Sequence, residues 1–204
     1  MTSDRGWLRI GLLLVIATMI YNAVEAAVSI LWGFWAHSIA LTGFGLDSLI
    51  ELAAAGVLLW RLGLEARGAS RERVEEGERR VQRFVGVTFV ILALYVTGQS
   101  GWILLRAREP DETLVGIVVA AASLVIMPLV SWGKIRVARR IGSKALAAEA
   151  RETLACSYLS LTLLVGLAAN ALWGWWWADP VAALLMVPWL VKEGVEGLRG
   201  EDED

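Results

Sequence analysis

Asp47 and Glu51 lie four residues apart inside "SIALTGFGLDSLIELAAAGVLLW", residues 38–60, a stretch otherwise apolar or small. Four residues is about one helical turn, so both carboxylates project from one face. A charge at the centre of a bilayer costs roughly 3 kcal/mol on insertion scales. Two like charges on adjacent turns add repulsion. The pair therefore requires a cation, shared protons or water, and the chemistry this implies is cation binding or proton transfer. Gly43, Ala54 and Ala55 flank the acids at helical spacing, and small residues let a neighbouring helix approach. The alternative is a protonated pair hydrogen-bonded between helices.

Two further stripes share this character. In "TMIYNAVEAAVS", Thr18, Asn22, Glu25 and Ser29 recur at three- and four-residue steps. Asn22 and Glu25 offer oxygen donors, and Glu25 serves either as a ligand or as a hydrogen-bond partner between helices. In "EARETLACSYLS", Glu149, Thr153, Cys156 and Ser160 share a face and Glu152 lies close to it. Glu149 supplies charge, Thr153 a hydroxyl and Cys156 a soft sulfur. Cys156 is either a small buried residue or a ligand. Three polar stripes in an apolar chain predict one intramembrane cation site built from Asp47, Glu51, Glu25, Glu149, Asn22, Thr153 and Cys156. Acids, amide and hydroxyls suit hard or borderline divalent ions. The single histidine, His37, falls near the end of its helix and is expected at the membrane interface.

The elements that must position these residues are membrane helices. The chain is 57% hydrophobic over 204 residues, in long, nearly continuous runs rather than amphipathic alternation. Six segments are long enough to span a bilayer: about 7–36, 38–62, 81–105, 112–137, 145–173 and 180–198. The expected architecture is all-α, an integral membrane protein of six transmembrane helices forming one domain over 1–198, with an acidic tail at 199–204. Basic residues gather at alternate connections: Arg5 and Arg9, the clusters Arg61 to Arg83 and Lys134 to Lys144, then Lys192 and Arg199. Only Arg106 and Arg108 fall at the opposite connections, where Trp32, Trp35, Trp102, Trp173 and Trp175 to Trp177 form a belt. The positive-inside rule then makes both termini cytoplasmic. The charged connection 63–80 is expected to extend its neighbouring helices into solvent. Asp179 before Pro180 is expected to cap the sixth helix. The first apolar run continues to Trp35 with no small-residue cleavage site, so a cleaved signal peptide is not expected.

Several function classes are excluded on residue types. No basic stripe carries interleaved aromatics, which argues against nucleic acid. There is no glycine-rich phosphate loop, no zinc-peptidase motif and no serine placed with a histidine base, so no enzyme is expected. A single cysteine forbids an internal disulfide or a cysteine-rich metal site.

The stretch "HSIALTGFGLDSLIE" resembles the second helix of the cation diffusion facilitator family, and "GWWWADPVAALL" resembles the start of that family's sixth helix. The resemblance implies a six-helix transmembrane domain with cytoplasmic termini. It implies exchange of Zn2+ or a related divalent ion for protons, in a homodimer. It places the family's second-helix acids on Asp47 and Glu51. Counted back from Ala178 and Asp179, its fifth-helix His and Asp fall on Thr153 and Ser157, which are weak ligands. Glu149, Cys156 and Glu25 are then expected to supply the missing charge. Most members carry a cytoplasmic metal-binding domain after the sixth helix; the residues after Leu198 are too few for one, so the membrane helices are expected to make the dimer. The expected function is a secondary transporter in the cell (inner or plasma) membrane. It would export Zn, Mn, Fe or Co as a divalent ion against protons. The alternative is a metal-binding regulatory membrane subunit without transport.

Overall fold

The computed structural model describes residues 2–66, 71–106 and 113–199, and these residues are almost entirely helical. The elements run α1 (Thr2–Trp35), α2 (Ile39–Ala66), α3 (Arg71–Arg106), α4 (Leu114–Ile141), α5 (Lys144–Trp173) and α6 (Ala178–Arg199). The chain is an all-α integral membrane protein. Five of these helices contain a stretch long and apolar enough to cross a bilayer, Arg9–Trp35, Ile39–Trp60, Gly86–Arg106, Leu114–Ile141 and Glu149–Trp173. The apolar part of α6 is shortened by Asp179 at one end and by Lys192, Glu193 and Glu196 at the other. It nonetheless packs in the bundle against α3 and α5. α2 ends at Ala66 and α3 begins at Arg71, so most of the charged connection is helix, with 67–70 outside the described residues.

The polar stripe on α1 decides which way that helix faces. Thr18, Asn22, Glu25 and Ser29 are each at most 4% exposed, while Leu13, Ile20, Val24 and Phe34 on its other side are at least 60% exposed. This is the inside-out arrangement of a helix whose solvent is lipid: apolar side chains face the hydrocarbon and polar groups turn to protein. α4 repeats it. Ser123, Ser131 and Lys134 are wholly buried, and Val118, Val125, Leu129 and Trp132 point outward.

Small residues set the helix spacing. A Cβ added at Gly45 would lie 2.8 Å from the Ser29 Cβ and 2.9 Å from the Ile30 backbone nitrogen, so α1 and α2 touch backbone to backbone there. A Cβ at Gly86 would lie 2.8 Å from the Gly194 carbonyl oxygen, which fixes the α3–α6 contact. These contacts sort the helix ends. Gly11, Val137 and Leu146 meet at one end of the bundle, and Leu41, Gly116 and Leu167 meet at the other. Arg9, Arg139, Arg140 and Arg199 therefore share the first end, opposite the tryptophans.

At the tryptophan end, Trp32 packs on Trp35 with ring centroids 5.9 Å apart, and Trp175 stacks on Trp177 at 5.3 Å. Arg106 covers the Trp102 ring at 4.2 Å. Two apolar cores hold the bundle. The larger, built around Phe44, Val96, Leu163 and Met186, lies toward the tryptophan end. The smaller, around Val15, Leu58, Val137 and Leu146, lies toward the basic end. The acids of α1, α2 and α5 fall between them.

Candidate intramembrane metal centre

α2 brings Asp47 and Glu51 onto one face, and α5 crosses that face at Cys156. One ligand atom from each of Asp47, Glu51 and Cys156 lies within 4.8 Å of the others. Asp47 and Cys156 are 3% and 1% exposed. Few donors reach these oxygens. Asn22 of α1 donates its Nδ2–H to Glu51 Oε2 at 2.9 Å, and the Cys156 thiol makes a long contact of 3.8 Å to Asp47 Oδ2. An ionised carboxylate offers about four acceptor positions, so the donors that reach these two among the described residues leave acceptor positions open. Two carboxylates and a sulfur that converge with spare lone pairs form a set that a divalent cation of borderline softness would complete.

The other residues expected at the site divide into two groups. Glu25, one turn from Asn22 on α1, accepts from the Ser48 hydroxyl at 2.8 Å. Its second oxygen and the Asn22 Oδ1 have no partner among the described residues, and Tyr21 and Ser123 stand close to the same carboxylate. Glu149 and Thr153 instead meet a cation already present in the chain. Lys134 of α4 is wholly buried and donates to Glu149 Oε1 at 2.6 Å and to Thr153 Oγ1 at 3.1 Å. The Thr153 hydroxyl donates in turn to the Glu149 carbonyl at 3.0 Å. Ser157 is half-buried and its hydroxyl has no partner among the described residues.

Two cavities adjoin the trio and share Glu51 and Glu152. One is lined by Asp47, Ile50, Glu51, Ala54, Phe89, Glu152, Trp189 and Glu193. The other is lined by Asn22, Glu51, Glu149, Glu152 and Thr153. The α5 and α6 residues of the lining, Glu152, Trp189 and Glu193, come from the halves of those helices nearer the basic end, so carboxylates run from Glu193 and Glu152 to the trio.

Two residues depart from what their sequence positions suggest. Lys134 does not join the exposed basic cluster that follows it; it turns inward. A signal for this existed, because Ala120, Ser123, Met127, Ser131, Lys134 and Ala138 recur at three- and four-residue steps on the buried face of α4. Asp179 does not cap α6, which already begins at Ala178. It caps α2, accepting from the Ser38 hydroxyl and from the backbone N–H groups of Ile39 and Ala40 at 3.0 and 3.5 Å. No local spacing could reveal that, since the partners are about 140 residues apart. His37 occupies the α1–α2 turn with φ 53°, exposed and away from the trio.

The chain is thus an all-helical, polytopic membrane bundle with acids converging near its centre. Residues 15–199 match the family model described as the cation efflux transmembrane domain, and the chain belongs to that family. An uncharacterized transporter, sll1263, of Synechocystis sp. (strain ATCC 27184 / PCC 6803 / Kazusa) is 30% identical over 151 residues, covering 72% of this chain and 48% of that protein. The manganese efflux system protein MneS of Bacillus subtilis (strain 168) is 24% identical over 169 residues, covering 80% of this chain and 57% of its own. The chain thus spans about half the length of the curated relatives it matches.

Proposed function

We propose that this chain exports a divalent transition-metal ion, Mn2+ foremost, from the cytoplasm across the cell membrane in exchange for protons. The convergence of Asp47, Glu51 and Cys156 within 4.8 Å carries the reading. Membership of the cation efflux family supports transport. The oxygen-rich, histidine-free donor set lets Mn2+, Fe2+ or Co2+ compete better with Zn2+ than a histidine-containing site would, and the name of the Bacillus subtilis relative points to manganese.

The ion binds Asp47 and Glu51 when both are ionised, with the Cys156 sulfur beside them. Asn22 holds Glu51 in place through its amide. Glu25 adds a carboxylate one turn away. Glu149 and Thr153 act through Lys134 rather than by touching the ion. The basic end of the bundle faces the cytoplasm under the positive-inside rule, so the cavity running past Glu152 and Glu193 is the loading path. Protons arriving from the other side displace the ion, and rocking of one helix group against another alternates access. The working unit is a homodimer.

Reconstitution in liposomes with a lumenal Mn2+ indicator and an imposed pH gradient tests the reading. Wild-type chain should move Mn2+ faster with a proton gradient directed against the metal, and Asp47→Asn should not. Stoichiometric Mn2+ binding without flux would make the chain a metal-binding regulatory subunit. No binding at all would overturn the site.

A further inference from the structure

Lys134 enters that cycle only as the partner of Glu149 and Thr153, although it is the largest fully buried polar side chain among the described residues. Its side chain is wholly enclosed, its ammonium is 2.6 Å from Glu149 Oε1, and Thr153 accepts a second hydrogen bond. A buried ion pair is weak support for stability, because desolvating both charges offsets most of their attraction. What separates this pair from a structural one is its location. Glu149 and Thr153 line the second cavity together with Glu51 and Asn22, so the pair borders the space next to the trio. The remaining oxygen, Glu149 Oε2, is buried and has no partner among the described residues. One step of freedom would let that carboxylate join Glu51 around a cation.

We infer that Lys134 is a positioning residue for transport: it occupies Glu149 with a resident positive charge, keeping a third carboxylate off the metal. With the pair closed, the ion meets the two charges of Asp47 and Glu51, which match those of a divalent cation. With the ammonium gone, Glu149 would be an uncompensated buried acid whose nearest remedy is the metal itself. Binding would then tighten at the expense of release. The inference rests on the proposed metal site, and the test separates the two.

Mn2+ affinity is measured by titration calorimetry on the full chain in detergent micelles for wild type, Lys134→Met, Glu149→Gln and the double variant, with liposome flux alongside. The charge of the pair is zero, minus one, plus one and zero in these four proteins. Affinity should follow it: Lys134→Met tighter by on the order of tenfold, Glu149→Gln weaker by a similar factor, and the double variant back to the wild-type value. Flux should fall in Lys134→Met despite the tighter binding, a split that mere loss of packing does not produce. If Lys134→Met fails to fold, Glu149→Gln and the double variant, which leaves no charge unpaired, still decide, since only the charge account predicts that removing Lys134 rescues Glu149→Gln. Wild-type binding with equal affinity in the variants that fold overturns the inference alone. Absence of Mn2+ binding to the wild type overturns the metal site and the inference with it.

Discussion

Asp179 and the Asp47–Glu51 pair are all carboxylates inside the bundle, yet the protein treats them in opposite ways. Asp179 is wholly buried and receives a hydroxyl and two backbone N–H groups at the start of α2. Its charge is met by the positive end of a helix and by donors that would otherwise be orphaned. Asp47 and Glu51 lie mid-helix, where the backbone N–H groups are already committed, and among the described residues they receive an amide from Asn22 and a long thiol contact from Cys156. A buried acid whose partners are complete is part of the scaffold. One whose partners are missing is where a ligand belongs.

Neutralising each acid in turn is the strongest way to break this comparison. Asp47→Asn should reduce Mn2+ flux by more than the ~100-fold that loss of an outer-shell partner typically produces. Its melting temperature should stay level or rise, since an under-compensated buried charge has been removed. Asp179→Ala should do the reverse. It strands three donors, one of them an N-cap hydroxyl, at an expected cost of about 2–4 kcal/mol, while the folded fraction should bind Mn2+ with wild-type affinity. Thermal unfolding beside a binding titration separates them, and a shared phenotype would erase the distinction.

Acidity should sharpen the contrast. Protons and metal compete for the same two carboxylates, so affinity should fall as pH falls on the loading side and recover as it rises, by up to about a hundredfold per unit where both acids exchange. Asp179 touches no ion in this account, so the slope should be unchanged in Asp179→Asn. A flat profile in wild type would remove the proton from the mechanism.

A smaller effect concerns the sulfur. Cys156→Ser keeps the size and replaces a soft donor with a hard one, so Mn2+ should bind within a few-fold of wild type while Zn2+ and Co2+ weaken more. Competition binding with the three ions measures it, and a strong Zn2+ preference surviving the change would contradict the assignment. The smallest change is expected in Glu193→Gln, at the mouth of the larger cavity. Loading should slow about two- to fivefold at low salt, and the difference should shrink at high salt, because a half-buried charge on the cavity wall steers a cation rather than holding it. Stopped-flow Mn2+ uptake at two ionic strengths reads it directly.

The apolar runs and the three polar stripes determined a great deal about this protein. In lipid a helix satisfies its own backbone, so composition and length alone predict helices, and periodicity along each predicts the face turned away from hydrocarbon. That is why the burial of Thr18, Asn22, Glu25 and Ser29, and the shared face of Asp47 and Glu51, were legible from residue types and spacing. The pairing of those faces was not. Whether Glu149 meets Glu51 or Lys134, whether Cys156 sits beside Asp47, and whether Asp179 caps its own helix or another all depend on how helices far apart in sequence rotate and pack. Close contacts such as Gly45 on Ser29 and Gly86 on Gly194 set that rotation. A stripe fixes a direction around one helix axis, but a site needs relative rotations and offsets of several axes, and only the packed bundle supplies them.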